Sequence, residues 1–147
     1  MDAIGEVYLG YKAKISVKNA KHITSSKAAA FVLNNCWDKE TLNLRESFKI
    51  LLLNRSNRAV NVYGVSDGGI TGTVTDIRLI IQAALLSNAC TIILAHNHPS
   101  GNKNPSEADV RVTTKIKKAA ELFDINVFDH IILVDGDYLS FVDEGLL

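Results

Sequence analysis

The feature that most constrains the fold is a short apolar stretch, residues 90–95, with the sequence Cys-Thr-Ile-Ile-Leu-Ala. Such a short run of apolar and β-branched residues is typical of a β-strand that is buried on both faces. A strand of this kind needs helices above and below its sheet. Two other pairs of stretches, 46–54 with 59–65 and 127–134 with 138–142, have the pattern of β-hairpins.

Three further segments have the apolar spacing of amphipathic helices. Their expected apolar faces are, in chain order, Ala28, Phe31, Val32 and Cys36; Ile77, Ile80, Ile81 and Ala84; and Val112, Ile116, Ala119 and Phe123. The partly alternating stretch 6–14, which contains two tyrosines, predicts one more strand near the amino terminus. This order of elements predicts an α/β fold, a mixed three-layer α-β-α sandwich in which a mixed β-sheet is flanked by helices.

The densest group of chemically active residues directly follows the buried strand. His96 and His98 are two of the chain's four histidines. Because residues two apart on an extended backbone point to the same side, both imidazoles can converge on one point while Asn97 faces away. Ser106 is expected to cap the next helix, and Asp109, three residues later, shares its helix face. The turn between strand and helix can therefore bring this carboxylate back to the imidazoles.

Two neutral imidazoles and one carboxylate are the protein ligands of a catalytic zinc site, whose fourth position is left to water. A structural zinc site would normally have a fourth protein ligand, usually cysteine, and neither cysteine lies in this stretch. Taken singly, the histidines could be hydrogen-bonded loop residues and Ser-x-x-Asp an ordinary helix start. Taken together, His96, His98 and Asp109 predict a site for one zinc ion per chain, although this ligand set also suits iron.

The pattern His-x-His-Pro-Ser-Gly-x-x-x-Pro-Ser-x-x-Asp, from His96 to Asp109, resembles the bacterial RadC family, a branch of the JAB/MPN (JAMM) metalloprotease-like superfamily. The resemblance extends to residues 45–58 and to residues 129–141, so that it covers nearly all of the chain. It implies a single RadC-like JAB/MPN domain over residues 1–147, without the amino-terminal helical region of longer family members. The superfamily's three-layer arrangement agrees with the fold predicted above.

The resemblance also implies a role for each motif residue: His96, His98 and Asp109 as metal ligands, Glu46 as the catalytic glutamate and Ser106 as a catalytic serine. The implied reaction is hydrolysis of a peptide-like amide by a metal-activated water, as in a metallopeptidase or isopeptidase. Glu46 would accept the water's proton and deliver it to the leaving nitrogen, and Ser106 would stabilise the oxyanion. For this mechanism, Glu46 must reach the metal from another strand of the sheet.

Two other classes of function are the alternatives. Lysine plus arginine equal aspartate plus glutamate, 16 of each, so no global basic field draws the protein to nucleic acid. A role with DNA rests only on the family's DNA-repair label, because the letters His-Asn-His at 96–98 are not a nuclease site and the motif of a zinc deaminase does not occur. A non-catalytic binding scaffold is the other alternative. The expected partner is a peptide or protein substrate, and the oligomeric state stays open.

The chain shows no signal peptide and no apolar run approaching the ~20 residues of a membrane span. We therefore expect a cytoplasmic protein without a membrane partner. Cys36 and Cys90, which lie far apart, are expected to be buried free thiols in a reducing compartment.

Three features lie outside the motif. The glycine-rich stretch 66–73 lacks the Gly-Lys-Ser/Thr of a phosphate loop, and we expect a mobile loop there. His22, in a polar stretch, is expected to be exposed. His130, in a strand beside Asp129, is expected to be a hydrogen-bonded core residue, with support of a metal ligand from behind as the alternative.

Overall fold

A mixed sheet of five strands forms the centre of the protein, which a computed structural model describes for residues 4–68 and 75–147. The strands are β1 (Ser47–Leu53), β2 (Ala59–Asp67), β3 (Thr91–Asn97), β4 (Asn126–Val134) and β5 (Asp137–Ser140). The helices are α1 (Ser26–Asn35), α2 (Ile77–Leu86) and α3 (Glu107–Glu121), and a short 3-10 helix spans Val17–Asn19.

The strand order is β2-β1-β3-β4-β5, so that the strand predicted to be buried on both faces lies at the centre of the sheet. All seven residues of β3 are buried. β3 runs antiparallel to β1, with Phe48 opposite His96, and parallel to β4. The two predicted hairpins, β1–β2 and β4–β5, are confirmed. This pairing places the start of β1 and the end of β3 at the same end of the sheet.

Alternating residues of the strands point into two separate cores, as the period of two requires. On one face, Leu51 and Ile93 pack with the buried side of α1. On the other face, Ile50 and Leu94 pack with α2 and α3. The three-layer α-β-α arrangement with a mixed sheet is therefore confirmed.

Each helix begins at a side chain that caps a free backbone N–H group. Ser25 accepts from Ala28, Asp76 accepts from Arg78, and Ser106 accepts from Asp109. A cap of this type stabilises a protein by about 1 kcal/mol. None of the helices within residues 4–68 and 75–147 combines the length and apolar character needed to cross a bilayer.

The strand predicted for residues 6–14 is wrong. These residues form no helix and no strand, and Val7 and Leu9 are 90% and 86% exposed. Tyr11 accepts a hydrogen bond from Asn61 on β2, the neighbouring edge strand. The alternating pattern was misleading because a strand also needs a partner that pairs with its backbone and buries one of its faces.

The predicted apolar faces of two helices are rotated in the structure. Phe31 of α1 and Phe123, just after α3, are 60% and 48% exposed. The buried residues are Ala29, Ala30 and Leu33 in α1 and Thr113, Ile116 and Ala120 in α3, and of these only Ile116 was among the predicted face residues. Small residues dominate these buried sets because they allow a helix to lie close against the sheet. The stripe predicted for α2 is correct, with Ile80 and Ala84 fully buried.

The expectation of two buried thiols is wrong for Cys36, which is exposed, while Cys90 is half-buried. Both cysteines are free, as expected. Cys36 ends α1, and the chain then turns so that Trp37 occupies the buried position beside the sheet, at 4% exposure.

The loop predicted at 66–73 falls mostly outside the described residues, since the structure describes only residues 66–68 of it. His22 is exposed as expected and forms an isolated bridge with Arg58.

Candidate metal centre

Three elements meet at one end of the sheet and bring four of the predicted site residues together. His96 lies in β3 and His98 directly after it, while Asp109 lies in the first turn of α3. Glu46 directly precedes β1, two residues before Phe48, which pairs with His96. One ligand atom from each of Glu46, His96, His98 and Asp109 lies within 4.8 Å of the others. Glu46 approaches the imidazoles from the start of β1, which is the arrangement that the mechanism implied by the resemblance requires.

The two imidazoles are in direct contact, with 2.8 Å between His96 Nε2 and His98 Nε2. Asp109 Oδ1 lies 3.4 Å from the first nitrogen, and Oδ2 lies 3.5 Å from the second. Glu46 Oε1 lies 4.0 Å from His96 Nε2. The side chain of His96 is 1% exposed, whereas those of the other three are 15–21% exposed. One side of the cluster is therefore accessible from solvent.

The ring of His98 is oriented by the loop between β3 and α3. Its Nδ1 atom lies 2.7 Å from the backbone oxygen of Asn102. Because a carbonyl oxygen only accepts hydrogen bonds, Nδ1 donates its proton there. The lone pair of the neutral ring is then on Nε2, which faces the cluster.

The ring of His96 is held from behind by His130. His96 Nδ1 lies 2.7 Å from His130 Nε2, and His130 Nδ1 lies 2.6 Å from Thr113 Oγ1. His130 is fully buried, with its ring stacked on Phe141 and edge-on to Phe48. His130 is therefore a hydrogen-bonded core residue, as expected, and it also contacts a predicted ligand, as the alternative required.

The cluster shifts the pKa values of its members. Burial raises the pKa of Asp109, but hydrogen bonds with His96 and His98 outweigh it and hold that pKa well below its usual range. The hydrogen bond with Asp109 raises the pKa of His98, against the opposing effect of burial. Burial lowers the pKa of His130 well below its ordinary value. Asp109 is consequently a carboxylate, the form in which it can bind a metal.

These donor atoms fit a divalent transition metal. The separation of 2.8 Å between the two Nε2 atoms is less than twice the zinc–nitrogen bond length of about 2.0–2.1 Å, so one ion can contact both rings. Two imidazole nitrogens and a carboxylate suit zinc or iron. The chemistry of the donor set therefore supports a metal-binding group at this end of the sheet.

Ser106 is the fifth predicted site residue, and it contacts a predicted ligand directly. Its hydroxyl oxygen accepts from the backbone N–H of Asp109 at 3.1 Å, and its own N–H donates to Asp109 Oδ2 at 2.8 Å. This reciprocal pair is the capping box of α3. Because a hydroxyl can accept and donate at the same time, the cap leaves its proton available to another acceptor.

Asn97 has a role that the sequence did not reveal. It faces away from the imidazoles as predicted, and it is fully buried on the α1 side of the sheet. Its Oδ1 accepts from the N–H of Ser47 at 2.8 Å, and its Nδ2 donates to the carbonyls of Leu42 and Arg45 at 2.7 and 2.9 Å. Two of these three backbone groups flank Glu46. A polar amide two residues after a run predicted to be buried on both faces is the signal that could have indicated such partners.

Thr113 was also missed. It lies one helical turn after Asp109 and donates to the backbone oxygen of Asp109 at 2.6 Å. Its spacing of four residues from a predicted ligand places it on the same helix face, which is the sequence signal that could have identified it.

The chain is similar to known proteins over most of its length. A sequence profile of the family described as RadC-like JAB domain matches residues 23–146. The chain is 44% identical over 126 residues to a UPF0758 protein of Flavobacterium johnsoniae, an alignment that covers 86% of this chain and 54% of the relative. It is 46% identical over 104 residues to a UPF0758 protein of Porphyromonas gingivalis, covering 70% and 46%. It is 34% identical over 145 residues to a UPF0758 protein of Clostridium acetobutylicum, covering 99% and 62%. The chain thus spans about half the length of the curated relatives it matches.

Proposed function

The chain belongs to the RadC-like JAB domain family, and from this premise we propose that it is a zinc-dependent hydrolase of a peptide-like amide bond, a peptidase or isopeptidase. The observation that carries the proposal is the convergence of His96, His98, Asp109 and Glu46 at one end of the sheet. The substrate would be a peptide or a protein.

His96, His98 and Asp109 would hold the ion, one per chain. When bound, zinc acts as a Lewis acid and lowers the pKa of water from ~15.7 to about 7. The two imidazoles direct Nε2 to the same point, and the carboxylate of Asp109 faces both of them at 3.4 and 3.5 Å. This arrangement of donors supports the proposal.

Glu46 would act as the proton carrier. Its carboxylate lies at the edge of the cluster, 4.0 Å from His96 Nε2, and its side chain is 21% exposed. It would accept a proton from the attacking water and later donate that proton to the leaving nitrogen. The partly open position supports this role because the proton has to move between water, the glutamate and the substrate.

Ser106 would stabilise the oxyanion that forms when the amide carbonyl is attacked. Its oxygen is already held by the backbone N–H of Asp109, which fixes the position of the hydroxyl next to the ligand set. A donor that is fixed before the reaction stabilises developing charge most effectively.

The first test is the metal content of the purified protein, measured by elemental mass spectrometry. We expect about one zinc per chain in the wild type. The His98→Ala variant should lose the metal, and the matched control His22→Ala, which removes an exposed histidine, should keep it. A folded wild-type protein that retains no metal after zinc is supplied and the excess removed would contradict the proposal and favour a binding scaffold.

The second test separates the glutamate from the ligands. The Glu46→Gln variant should keep its zinc but lose cleavage of whichever members of a peptide and isopeptide library the wild type cleaves. Glu107→Gln, a change at an exposed carboxylate, is the control and should cleave like the wild type. Loss of zinc from Glu46→Gln would identify Glu46 as a fourth ligand instead of a proton carrier, and equal cleavage by this variant would exclude the mechanism.

A further inference from the structure

A continuous line of hydrogen bonds, here called the relay, connects the backbone of Asp109 to the ring of His96, two of the predicted ligands. It runs from the carbonyl oxygen of Asp109 to Thr113 Oγ1 (2.6 Å), then to His130 Nδ1 (2.6 Å), and from His130 Nε2 to His96 Nδ1 (2.7 Å). Thr113 is 2% exposed, His130 0% and His96 1%. Because these groups are shielded from water, their protons have to be shared among themselves.

The donors and acceptors along the relay allow only one position for the proton in each hydrogen bond. The carbonyl of Asp109 only accepts, so the single hydroxyl proton of Thr113 is donated to it. Thr113 must then accept from His130, which carries its proton on Nδ1. His130 lies between the rings of Phe48 and Phe141, an apolar environment that favours a neutral imidazole. Its Nε2 is therefore an acceptor, and His96 has to donate to it from Nδ1.

We propose that Thr113 and His130 are positioning residues that hold His96 in its Nδ1–H tautomer, so that the lone pair of Nε2 points at His98 and Asp109. The inference rests on the proposed metal site and extends it beyond the ligands. In metal sites the hydrogen bond made by the second ring nitrogen commonly fixes the tautomer of a histidine. His98 reaches the same tautomer through the backbone oxygen of Asn102, whereas His96 depends on two side chains.

This dependence on side chains makes the relay testable by substitution. Valine has nearly the shape of threonine but no hydroxyl, so Thr113→Val removes the acceptor for His130 Nδ1. His130 can then carry its proton on Nε2 and donate it to His96, which forces the proton of His96 onto Nε2, where it blocks the metal. Thr113→Ser keeps the hydroxyl and loses only a methyl group, which makes it the matched control.

The tautomers are read directly from long-range 1H–15N correlation spectra of the metal-free, 15N-labelled protein, with the rings assigned by single histidine substitutions. Wild type and Thr113→Ser should show the Nδ1–H form at His96 and His130, and Thr113→Val should show the Nε2–H form at both. Zinc affinity, measured by competition with a chelator, should fall about 10–100-fold in Thr113→Val, the usual effect of removing an outer partner of a ligand. In Thr113→Ser it should stay close to the wild-type value.

The outcomes separate this inference from the proposed function. An Nε2–H form at His96 in the wild type would overturn the relay. Equal zinc affinity in the wild type, Thr113→Ser and Thr113→Val would overturn it as well, but would leave the proposed metal site intact. Predicted tautomers in a wild type that binds no zinc would support the relay and refute the proposed function. If Thr113→Val does not fold, the wild-type spectrum still decides, because it assigns the tautomer of His96 by itself.

Discussion

Asp109 belongs to two sets of contacts at once. Its carboxylate accepts from the N–H of Ser106 and so completes the capping box, and it also faces the Nε2 atoms of His96 and His98. These contacts lower the pKa of Asp109 and raise that of His98. Without metal, Asp109 and His98 form an ion pair when the imidazole is protonated, and this ion pair stabilises the fold. In the proposed metal-bound form, the same carboxylate would be a ligand.

These shifts predict opposite pH dependences with and without metal. The stabilisation from the raised pKa of His98 is complete below its unfolded value of about 6.5 and is lost as the pH rises through the raised value. The stabilisation from the lowered pKa of Asp109 is present above the pKa of about 3.9 that the carboxyl has in the unfolded chain. It is lost only in acid, as the pH falls through the lowered pKa. In a chelator, the stability difference between wild type and Asp109→Asn should therefore shrink as the pH rises above neutrality. In excess zinc, the difference should grow with pH because zinc competes with protons for the histidines.

Urea unfolding of both proteins between pH 5 and 8 measures these differences. Asparagine can still accept from Ser106, so the helix cap is kept in the variant. A difference that has the same pH slope in chelator and in zinc would show that Asp109 does not interact with the titrating histidine.

The two roles of Ser106 can be separated by choosing the replacement. Ser106→Ala should lower stability by about 1 kcal/mol, whereas glycine is tolerated at an N-cap and Ser106→Gly should cost only a few tenths. Both variants lack the hydroxyl, so both should lower turnover by roughly 10²–10³-fold if the hydroxyl stabilises the oxyanion. Unfolding curves and turnover of a cleaved library peptide measure the two effects. Wild-type turnover in Ser106→Gly would leave Ser106 with the capping role alone.

At the scale of elements, β3 serves the site from both of its faces. One face presents His96 to the cluster, and the opposite face presents Asn97 to the backbone on either side of Glu46. The position of Glu46 relative to the two imidazoles is thus set by the same strand that holds His96. A single strand, β3, therefore fixes the distance between Glu46 and the imidazole of His96.

Removing this buried amide should be costly. Asn97→Ala leaves the N–H of Ser47 and the carbonyls of Leu42 and Arg45 without their partner. Two of these bonds, those of the Ser47 N–H and the Leu42 carbonyl, are buried, and each buried group left unpaired costs about 1–3 kcal/mol, so we expect a loss of roughly 2–6 kcal/mol in the free energy of unfolding. The control Asn43→Ala removes an exposed amide and should change stability by no more than about 0.5 kcal/mol. Similar losses in both variants would show that the buried hydrogen bonds of Asn97 contribute no more to stability than an exposed amide does.

At the scale of the whole molecule, the amino-terminal segment contributes nothing to either core. All residues from 4 to 19 are exposed, whereas Ala20 and Ile23 are buried. Removing residues 1–15 should leave zinc content unchanged and shift the melting temperature by less than about 4 °C, the change that 1 kcal/mol produces in a domain of this size. Removing residues 1–24 should destabilise the protein strongly, because Ile23 also bonds to Asn57 beside the β1–β2 turn. Thermal melts of the two truncated proteins would test this, and equal melting temperatures would contradict it.

The parts of this structure that could be predicted are those whose pattern is local. The buried run before His96 and the helix cap from Ser106 to Asp109 each carry their information within a few residues, and the structure confirms the strand and the cap. The stretch 6–14 was misread because pairing depends on a neighbour that the sequence does not identify. The exposure of Phe31 could not be predicted for a related reason, since the sheet decides which apolar side of α1 it covers.

The supporting contacts of the site also required the fold. Asn97 meets backbone groups about 50 residues away, and Thr113 meets His130 at a separation of 17 residues. No periodicity describes such contacts, because they depend on the register of β1 against β3 and of α3 against β4. The roles of Glu46 and Ser106 in a reaction remain predictions that turnover measurements decide.

The order of the strands has a consequence for biosynthesis. The cluster draws on the beginning of β1, the end of β3 and the start of α3, and its support lies in β4, which follows all of these along the chain. A chain emerging from the ribosome therefore carries all four clustered side chains before the element that orients His96 has been made. Contacts between residues distant in sequence slow folding, because the intervening chain must close a loop before they form. Zinc uptake at full affinity would accordingly mark the completion of folding, and a chain stopped before β4 would compete poorly for the metal.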